Sequence, residues 1–243
     1  MTSPIYAIGD IHGQLDMLQV ALQRIEADGG PDARVVFLGD YTDRGPDSRG
    51  VLDLLIEGKR AGRNWVTLKG NHDGMFEMFM RDYPMTDAYM MIGWDWFHPR
   101  IGGIQTLESY GIEIGETDRV FRVHARAREV VPSEHVAFLN TLPNHHLEGE
   151  LLFVHAGIRP GVALSEQSEQ DLIWIRQEFL NDPRPHPWLV VHGHTAVRQA
   201  EHCGNRVNLD AGAGHGRQLA TAVFEGRDCW LLTEAGRVPL TPK

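Results

Sequence analysis

The chain has 243 residues, a formal net charge of −10 and an apolar fraction of 42%, which is compatible with one globular α/β domain that buries a substantial core. The negative charge excludes the basic footprint of a generic nucleic-acid binder, so we expect no binding to nucleic-acid duplexes. No apolar stretch approaches the length that crosses a membrane, and we expect no membrane partner.

Two further features of the sequence predict the cellular location of the protein. The first predicted strand begins within a few residues of the start, without the basic and apolar regions of a secretory leader. Cys203 and Cys229 are far apart and form no CxxC motif, as is usual in a reducing compartment. We therefore predict a cytoplasmic protein.

Strands and helices alternate over the first third of the chain. Apolar runs at 5–8, 35–38 and 65–68 predict strands, and each leads into a turn with acidic residues, in GDIHG, GDYTDRG and GNHD. Between these runs, residues 14–27 and 48–60 place leucine and isoleucine at helical spacing. This alternation predicts right-handed crossovers and a largely parallel sheet.

The regular pattern loosens after Met75. We predict a helical insertion at about residues 80–145 within a single domain that spans 1–243, with one helix from Ser133 to Leu142. The segment GWDWFHPRIGG carries an aromatic cluster from Trp94 to His98. This cluster either lines a substrate entrance or caps the core, since buried aromatic side chains serve packing as often as recognition.

The last third of the chain mixes helix with short strands. Residues 168–180 are expected to form one helix that contains Arg176. Apolar runs at 151–154 and 189–191 end in HAG and HGHT, and short β-like runs follow between Gly-rich turns, which predicts antiparallel hairpins. The predicted fold class is α/β, with helices outside two packed sheets in an α/β/β/α sandwich.

Five of the predicted strands end in Asp, Asn or His. If these strand ends share one rim, they bring together six side chains with nitrogen and oxygen donors, namely Asp10, His12, Asp40, Asn71, His155 and His194. Such donors without thiolates suit Mn, Fe, Zn or Ni. Several ligands beside a carboxylate indicate two metal ions rather than one.

The five motifs, in this order and with these gaps, resemble the calcineurin-like metallophosphoesterase fold, and specifically the bacterial serine/threonine protein phosphatase branch of the phosphoprotein phosphatase (PPP) family. The resemblance spans nearly the whole chain. Two positions depart from the family pattern, because Asp73 stands where eukaryotic members usually carry Glu and Thr42 stands where Val is commoner. Asp73 keeps the bacterial relatives that hydrolyse dinucleotides open as an alternative.

The resemblance implies a site with two divalent metal ions, with Mn as the first choice and Fe, Zn or Ni as alternatives. Asp40 would bridge the two ions. The other ligands would be Asp10 and His12 for one ion and Asn71, His155 and His194 for the other. A hydroxide between the metals would attack the phosphorus directly, without a phosphoenzyme intermediate.

The resemblance also implies the catalytic side chains. His72 would point away from the metals and protonate the leaving oxygen. Asp43 would bond the imidazole of His72, raise its pKa and fix its tautomer. Arg44 and Arg176 would bind the phosphate, since paired guanidinium groups suit its three equatorial oxygens.

Two further histidines have open roles. His192 either supports a metal ligand or is simply the last residue of its strand. His215 lies in the Gly-rich stretch AGAGHGR, either at the phosphate rim or in a turn without a function. The remaining histidines are interpreted as surface or packing residues, namely His98, His124, His135, His145, His146, His186 and His202.

Three functions fit these residues. The first is metal-dependent hydrolysis of phosphomonoesters, in phosphoserine, phosphothreonine and in some cases phosphotyrosine proteins or in a small phosphorylated substrate. The second is hydrolysis of a dinucleoside polyphosphate or another phosphodiester, which the fold alone does not separate from the first. The third is a phosphate-binding or scaffold protein without turnover, which is disfavoured because binding alone needs no proton donor. We predict the first.

Overall fold

The computed structural model describes residues 3–115 and 117–243, and the elements below are those of these ranges. The strands are β1 (Ile5–Ile8), β2 (Arg34–Phe37), β3 (Trp65–Thr67), β4 (His145–Glu148), β5 (Leu151–Val154), β6 (Leu189–His192), β7 (Glu201–His202), β8 (Arg206–Asn208), β9 (Thr221–Glu225), β10 (Asp228–Thr233) and β11 (Gly236–Pro239). The helices are α1 (Leu15–Gly29), α2 (Ser48–Arg60), α3 (Asn71–Phe79), α4 (Gly103–Ser109), α5 (Val120–Val130), α6 (Ser133–Asn140), α7 (Glu169–Trp174) and α8 (Gln177–Leu180).

Two mixed sheets form the centre of the fold. The first has the order β11-β10-β9-β1-β2-β3, in which β1, β2 and β3 are parallel and β9 runs antiparallel to β1. The second has the order β4-β5-β6-β8-β7, in which β5, β6 and β8 are parallel. The ends of β1, β2 and β3 therefore share one edge of the first sheet, and those of β5 and β6 share one edge of the second.

Alternate strand residues face opposite layers of the structure. Val36 of the first sheet and Phe153 of the second belong to one apolar core between the sheets. On its other face, the first sheet packs against α1 and α2 through residues such as Phe37. The second sheet packs against α7 and α8 through Val190 and its neighbour Phe179. This layering confirms the predicted α/β/β/α sandwich.

The prediction of one helix over residues 168–180 is wrong. The structure has two short helices there, α7 and α8, separated by Ile175 and Arg176. Ile175 has a ψ of 144° and Arg176 has a φ of −132° with a ψ of −98°, so neither residue is helical. The apolar spacing continues across the break because Ile175 and Phe179 are both buried. The break places Arg176 just before α8 instead of on a helix face.

Strands β4 and β11 were not predicted, and the pairing of β8 differs from the expectation. β4 and β11 both lie at sheet edges, and β4 is only half-buried, so it carries no apolar alternation. The antiparallel pairs β7–β8 and β9–β10 are present, but β8 also pairs in parallel with β6. Helices α4, α5 and α6 lie within the predicted insertion, whose boundaries stay a prediction, as does the single domain.

The structure bears on two features noted in the sequence, the lack of a membrane-spanning stretch and the two cysteines. Over residues 3–115 and 117–243, the structure has no helix that combines the length and the apolarity needed to cross a membrane. Cys203 and Cys229 are free thiols, and Cys229 is buried. The cytoplasmic location stays a prediction.

Two helix glycines allow a paired test of this packing. A Cβ at Gly58 in α2 would collide with the indole of Trp65, whereas a Cβ at Gly74 in α3 would meet only the Lys69 side chain, at 3.6 Å. Gly58→Ala should lower the free energy of unfolding by about 1–3 kcal/mol, as overpacking does. Gly74→Ala should raise it by about 0.5–1 kcal/mol, because alanine favours a helix over glycine. Urea unfolding measures both changes, and effects of the same sign would contradict the packing described.

Candidate active site

The central carboxylate of the site belongs to Asp40, which follows β2. Gly39 and Asp40 have positive φ values of 98° and 54°, so the chain turns sharply out of the strand. A Cβ at Gly70 would collide with the Asp40 carboxylate, which shows how closely the loop after β3 packs on this turn. A left-handed conformation is uncommon for aspartate and persists only where neighbouring groups hold it.

A second carboxylate, that of Asp73 in α3, holds the turn at Asp40. Asp73 Oδ2 accepts hydrogen bonds from the backbone N–H of Asp40 at 2.8 Å and of Gly70 at 2.9 Å, and Oδ1 accepts one from the N–H of Tyr41 at 2.9 Å. Burial raises the pKa of Asp73, whereas these hydrogen bonds favour its ionised form. The sequence marked Asp73 only as a departure from the family pattern, and the structure gives it the role of holding the strand end.

The two carboxylate oxygens of Asp40 face two different histidines. Oδ2 lies 3.5 Å from Nε2 of His12, and Oδ1 lies 3.5 Å from Nε2 of His155. Oδ1 also accepts a hydrogen bond from the backbone N–H of His72 at 2.9 Å. One buried carboxylate thus lies between two groups of potential ligand atoms, which is the placement that a bridging ligand requires.

On one side of Asp40, hydrogen bonds leave acceptor atoms pointing at one another. His155 donates from Nδ1 to the backbone carbonyl of Leu38 at 2.8 Å, so its Nε2 carries a lone pair, and this Nε2 lies 3.0 Å from the acceptor Oδ1 of Asn71. Nδ1 of His194 lies 2.8 Å from the same Oδ1. The lone pairs of His155 Nε2 and Asn71 Oδ1 repel at 3.0 Å unless a cation lies between them. Asn71, His155 and His194 therefore fit a divalent metal ion beside Asp40.

On the other side of Asp40, His12 donates from Nδ1 to a backbone carbonyl at 2.8 Å, which leaves its Nε2 as the metal-binding atom. The ligand atoms of His12, Asp40 and His72 lie within 4.8 Å of one another, as do those of Asp40, His155 and His194. The structure therefore has two adjacent ligand groups with Asp40 in both. His72 is close enough to the first group that proximity alone does not separate a ligand from a proton donor.

Asp10 joins the two sheets at the site. It follows β1 in the first sheet, and its Oδ1 and Oδ2 accept the backbone N–H of His194, which follows β6 in the second sheet, at 3.1 and 3.0 Å. A Cβ at Gly193 would collide with the Asp10 carboxylate. The ends of β1 and β6 therefore meet, as the strand-end pattern predicts.

Burial sets the charge state of these side chains. It lowers the pKa of His155 to about 4 and lowers the pKa of His12 and His194 well below the ordinary value. Burial also raises the pKa of Asp10 and of Asp40. Neutral imidazole is the form that binds metals, and neighbouring buried carboxylates need a compensating cation to stay ionised. The donor set therefore fits divalent ions in charge as well as in geometry.

His72 and Asp43 form a buried hydrogen-bonded pair, with 2.6 Å between His72 Nδ1 and Asp43 Oδ2. This contact was expected, and it fixes the proton of the neutral imidazole on Nδ1. The expected rise in the pKa of His72 is wrong, because burial and then the charge of Arg44 lower that pKa well below its usual value. Burial raises the pKa of Asp43.

Arg44 lies between two imidazoles at the mouth of the site. Its Nη1 is 2.7 Å from Nε2 of His12, and its Nη2 is 3.0 Å from Nε2 of His72. The guanidinium only donates, so both Nε2 atoms accept. The structure therefore brings Arg44 to the rim of both ligand groups.

Arg176 also reaches this rim. Its Nη1 lies 3.4 Å from Oγ1 of Thr195, the residue after His194. Burial lowers the pKa of Arg176, and the nearby negative charges of Asp40 and Asp210 oppose that shift. The break between α7 and α8 gives Arg176 this position.

Asp210 is a buried acidic residue of the site that was not predicted. It lies shortly after β8, and its Oδ1 accepts the backbone N–H of Gly212 at 2.9 Å. Its charge adds to burial in raising the pKa of Asp10 and Asp40. The signal was present in the sequence, because Asp210 follows the run RVNL much as Asp40 follows VVFLG.

The aromatic cluster from Trp94 to His98 contributes to the core through Trp96, and its role at a substrate entrance stays a prediction. Trp96 is buried and stacks on Phe76 with 5.2 Å between ring centroids, so it caps the core. Trp94 is half-buried and stacks on His98 at 3.8 Å. The cluster therefore contains one core residue and one stacked pair nearer the surface.

The two histidines with open roles lie in different environments. His192 is the buried last residue of β6 and packs edge-on against Phe179 at 5.1 Å, which favours the packing interpretation. His215 is exposed in the loop after β8, where a Cβ at Gly214 would meet the ring of His12. That loop therefore covers His12, and His215 lies at the rim.

Comparisons with known proteins agree with this geometry. Residues 3–220 match the calcineurin-like phosphoesterase family. The chain is 29% identical over 227 residues to serine/threonine-protein phosphatase 1 of Salmonella typhimurium, covering 90% of each chain. It is 27% identical over 235 residues to the asymmetrical bis(5'-nucleosyl)-tetraphosphatase PrpE of Bacillus velezensis, covering 87% of this chain and 85% of that one.

A solved structure with the same fold is the cold-active protein-tyrosine phosphatase of a psychrophilic Shewanella species. The TM-score is 0.63 at 14% identity, over 99% of this chain and 81% of that one, which shows the fold alone. The family match over residues 3–220 covers most of the chain and includes all five motifs. The chain therefore belongs to the calcineurin-like phosphoesterase family and is of the PPP type.

Proposed function

We propose that the protein is a dinuclear-metal-dependent phosphatase that hydrolyses phosphomonoesters. The observation that carries this proposal is the buried pair of His72 and Asp43, at 2.6 Å, beside a carboxylate shared by two groups of metal-binding atoms. A scaffold that only binds phosphate has no use for a proton donor at this place. Membership of a phosphoesterase family supports turnover.

The metals that we propose are two manganese ions, with Fe, Zn and Ni as alternatives that the same donors accept. When bound, such ions activate a water molecule and neutralise charge on the phosphate. Asp40 would be shared by both ions. The other ligands would be Asp10 and His12 on one side and Asn71, His155 and His194 on the other.

Arg44 and Arg176 would bind and orient the phosphate. In this structure Arg44 donates to the two imidazole Nε2 atoms. A phosphate dianion is a stronger acceptor than neutral imidazole, so Arg44 would turn its donors to the phosphate oxygens. Its charge, which lowers the pKa of His72, would then be neutralised.

His72 would donate a proton from Nε2 to the leaving oxygen. Asp43 would keep Nδ1–H in place and favour the protonated ring, as a carboxylate does for a catalytic histidine. Arg44 donates to Nε2 of His72, which is the atom that would carry the transferred proton. Phosphate binding and proton donation would therefore be linked through this one guanidinium.

The substrate that we propose is a phosphoprotein, because an exposed apolar segment reaches the neighbourhood of the site through Tyr89. Tyr89 stacks on Trp174 at 6.4 Å, and the ring of Trp174 lies 6.0 Å from that of His194. The exposed large apolar side chains of this segment are Tyr83, Met85, Tyr89, Met91 and Ile92. Exposed apolar patches commonly mark polypeptide contacts, and a net charge of −10 disfavours a polyphosphate.

A second candidate function is hydrolysis of a dinucleoside polyphosphate, which is supported by the 27% identity to a bis(5'-nucleosyl)-tetraphosphatase. Small phosphorylated molecules and phosphotyrosine proteins remain further candidate substrates of the first function.

We propose a cytoplasmic enzyme without nucleic-acid duplex or membrane partners.

A substrate comparison tests the choice between these functions. With Mn added, kcat/KM should be higher for a phosphoserine peptide with apolar flanking residues than for diadenosine tetraphosphate. Ile92→Ser should raise KM for the peptide by roughly tenfold, since burying an isoleucine is worth about 1.5–3 kcal/mol, and should leave p-nitrophenyl phosphate unaffected. Leu147→Ser, at an exposed position in β4, is the matched control. A preference for the dinucleotide would support the second function, and turnover of neither would support a scaffold.

Metal titration tests the bridging role of Asp40. In isothermal calorimetry with Mn, the wild type should show two sites, Asp10→Asn should weaken one, and Asp40→Asn should weaken both. Each loss of Mn affinity should exceed about 10–100-fold, which is the loss caused by removing a residue that only hydrogen-bonds a metal ligand. Asp16→Asn, on the exposed face of α1, is the control. Two unchanged sites in Asp40→Asn would refute the bridge.

The role of His72 is tested by its dependence on the leaving group. His72→Asn should lower kcat on a phosphoserine peptide by about 10²–10⁴-fold and should lower it less on p-nitrophenyl phosphate, whose leaving group departs as a stable anion. Asp43→Asn should show a weaker form of the same pattern. Elemental analysis should find both metals in His72→Asn. Loss of one metal would make His72 a ligand, and equal losses on both substrates would make it a positioning residue.

A further inference from the structure

We propose that Trp96, together with Thr106, is a positioning residue that orients Asp43 and through it His72. This inference rests on the proposed function of His72 as the proton donor. Both residues lie in the predicted insertion, outside the five motifs, and the sequence analysis considers only packing or the lining of an entrance for Trp96.

The carboxylate of Asp43 is held from two sides. Nε1 of Trp96 donates to both of its oxygens, at 3.0 Å to Oδ1 and 3.1 Å to Oδ2, and the hydroxyl of Thr106 donates to Oδ1 at 2.8 Å. Oδ2 is also the atom that bonds His72. Asp43 is fully buried, and the hydrogen bonds from Thr106 and Trp96 oppose the rise in its pKa that burial causes.

The backbone at Asp43 also depends on the insertion. Asp43 and Arg44 have φ values of 73° and 65°, two successive left-handed residues that are not glycine. The N–H of Asp43 donates to Thr106 Oγ1 at 2.8 Å and to Ser48 Oγ at 3.1 Å, and the N–H of Arg44 donates to the carbonyl of Gly102 at 3.2 Å. Segment 96–106 therefore holds both the side chain and the strained backbone of the turn.

Trp96 is fixed relative to His72 by helix α3. Its indole stacks on Phe76 at 5.2 Å and packs against Phe79 at 4.7 Å. Phe76 lies four residues after His72 on the same helix and therefore on the same helix face. Trp96 thus contacts helix α3, which carries His72, and also donates to the carboxylate of Asp43. These two contacts set the distance between His72 and Asp43.

The alternative is that Trp96 only packs. Trp96→Phe separates the two roles, because phenylalanine keeps an aromatic ring against Phe76 and removes the N–H donor. Thr106→Val is the second variant, since it keeps the shape of the side chain and removes the hydroxyl. Trp230→Phe in β10 is the matched control, and thermal unfolding reports the stability of all three.

The readout is kcat on two small substrates, phenyl phosphate and p-nitrophenyl phosphate, with metal content measured in parallel. Trp96→Phe and Thr106→Val should each lower kcat on phenyl phosphate about tenfold more than on p-nitrophenyl phosphate, as expected for one lost hydrogen bond to a charged group. KM and metal content should stay unchanged. In an Asp43→Asn background, neither substitution should lower kcat further, because residues that act through one group are not additive.

Equal losses on the two substrates, or losses that add to that of Asp43→Asn, would overturn the positioning role and leave Trp96 as a packing residue. If His72→Asn shows the dependence on the leaving group and both insertion variants lack it, this inference fails alone. If His72→Asn itself lacks that dependence, the proton-donor role fails, and the positioning of His72 fails with it.

Discussion

The site depends on the hydrogen bonds that one buried carboxylate, Asp73, makes to three backbone N–H groups. These bonds hold Asp40 in a left-handed conformation at the end of β2. In that conformation the two oxygens of Asp40 face the histidines that follow β1 and β5. The short side chain of Asp73 thus sets the position of the atoms that two metal ions would share.

The second requirement is that the two sheets meet at their strand ends. The contact between the Asp10 carboxylate and the backbone of His194 joins them, and it requires the glycine at position 193. The same junction concentrates buried carboxylates and neutral imidazoles. Burial costs free energy for the charged acids, and cations that bind there would offset this cost and stabilise the folded state by mass action. Fold stability and the proposed chemistry are therefore linked at one place.

Much of the fold and the six proposed ligands could be predicted from the sequence, because buried parallel strands that end in Asp, Asn or His carry a strong local signal. The break at Arg176 could not, since the apolar spacing of Ile175 and Phe179 continues across it. Two of the three side chains that bond the Asp43 carboxylate could not be predicted either. Trp96 and Thr106 lie 53 and 63 residues away in an irregular segment, and only tertiary packing brings them to the carboxylate.

The central claim is that Asp40 is shared by two metal ions and that His72 stays outside both. Anomalous diffraction from crystals grown with manganese measures this directly. The account predicts two peaks about 3.5–4 Å apart, one on each side of the Asp40 carboxylate, with His72 still bonded to Asp43. A single peak, or an ion bound to Nε2 of His72, would contradict it.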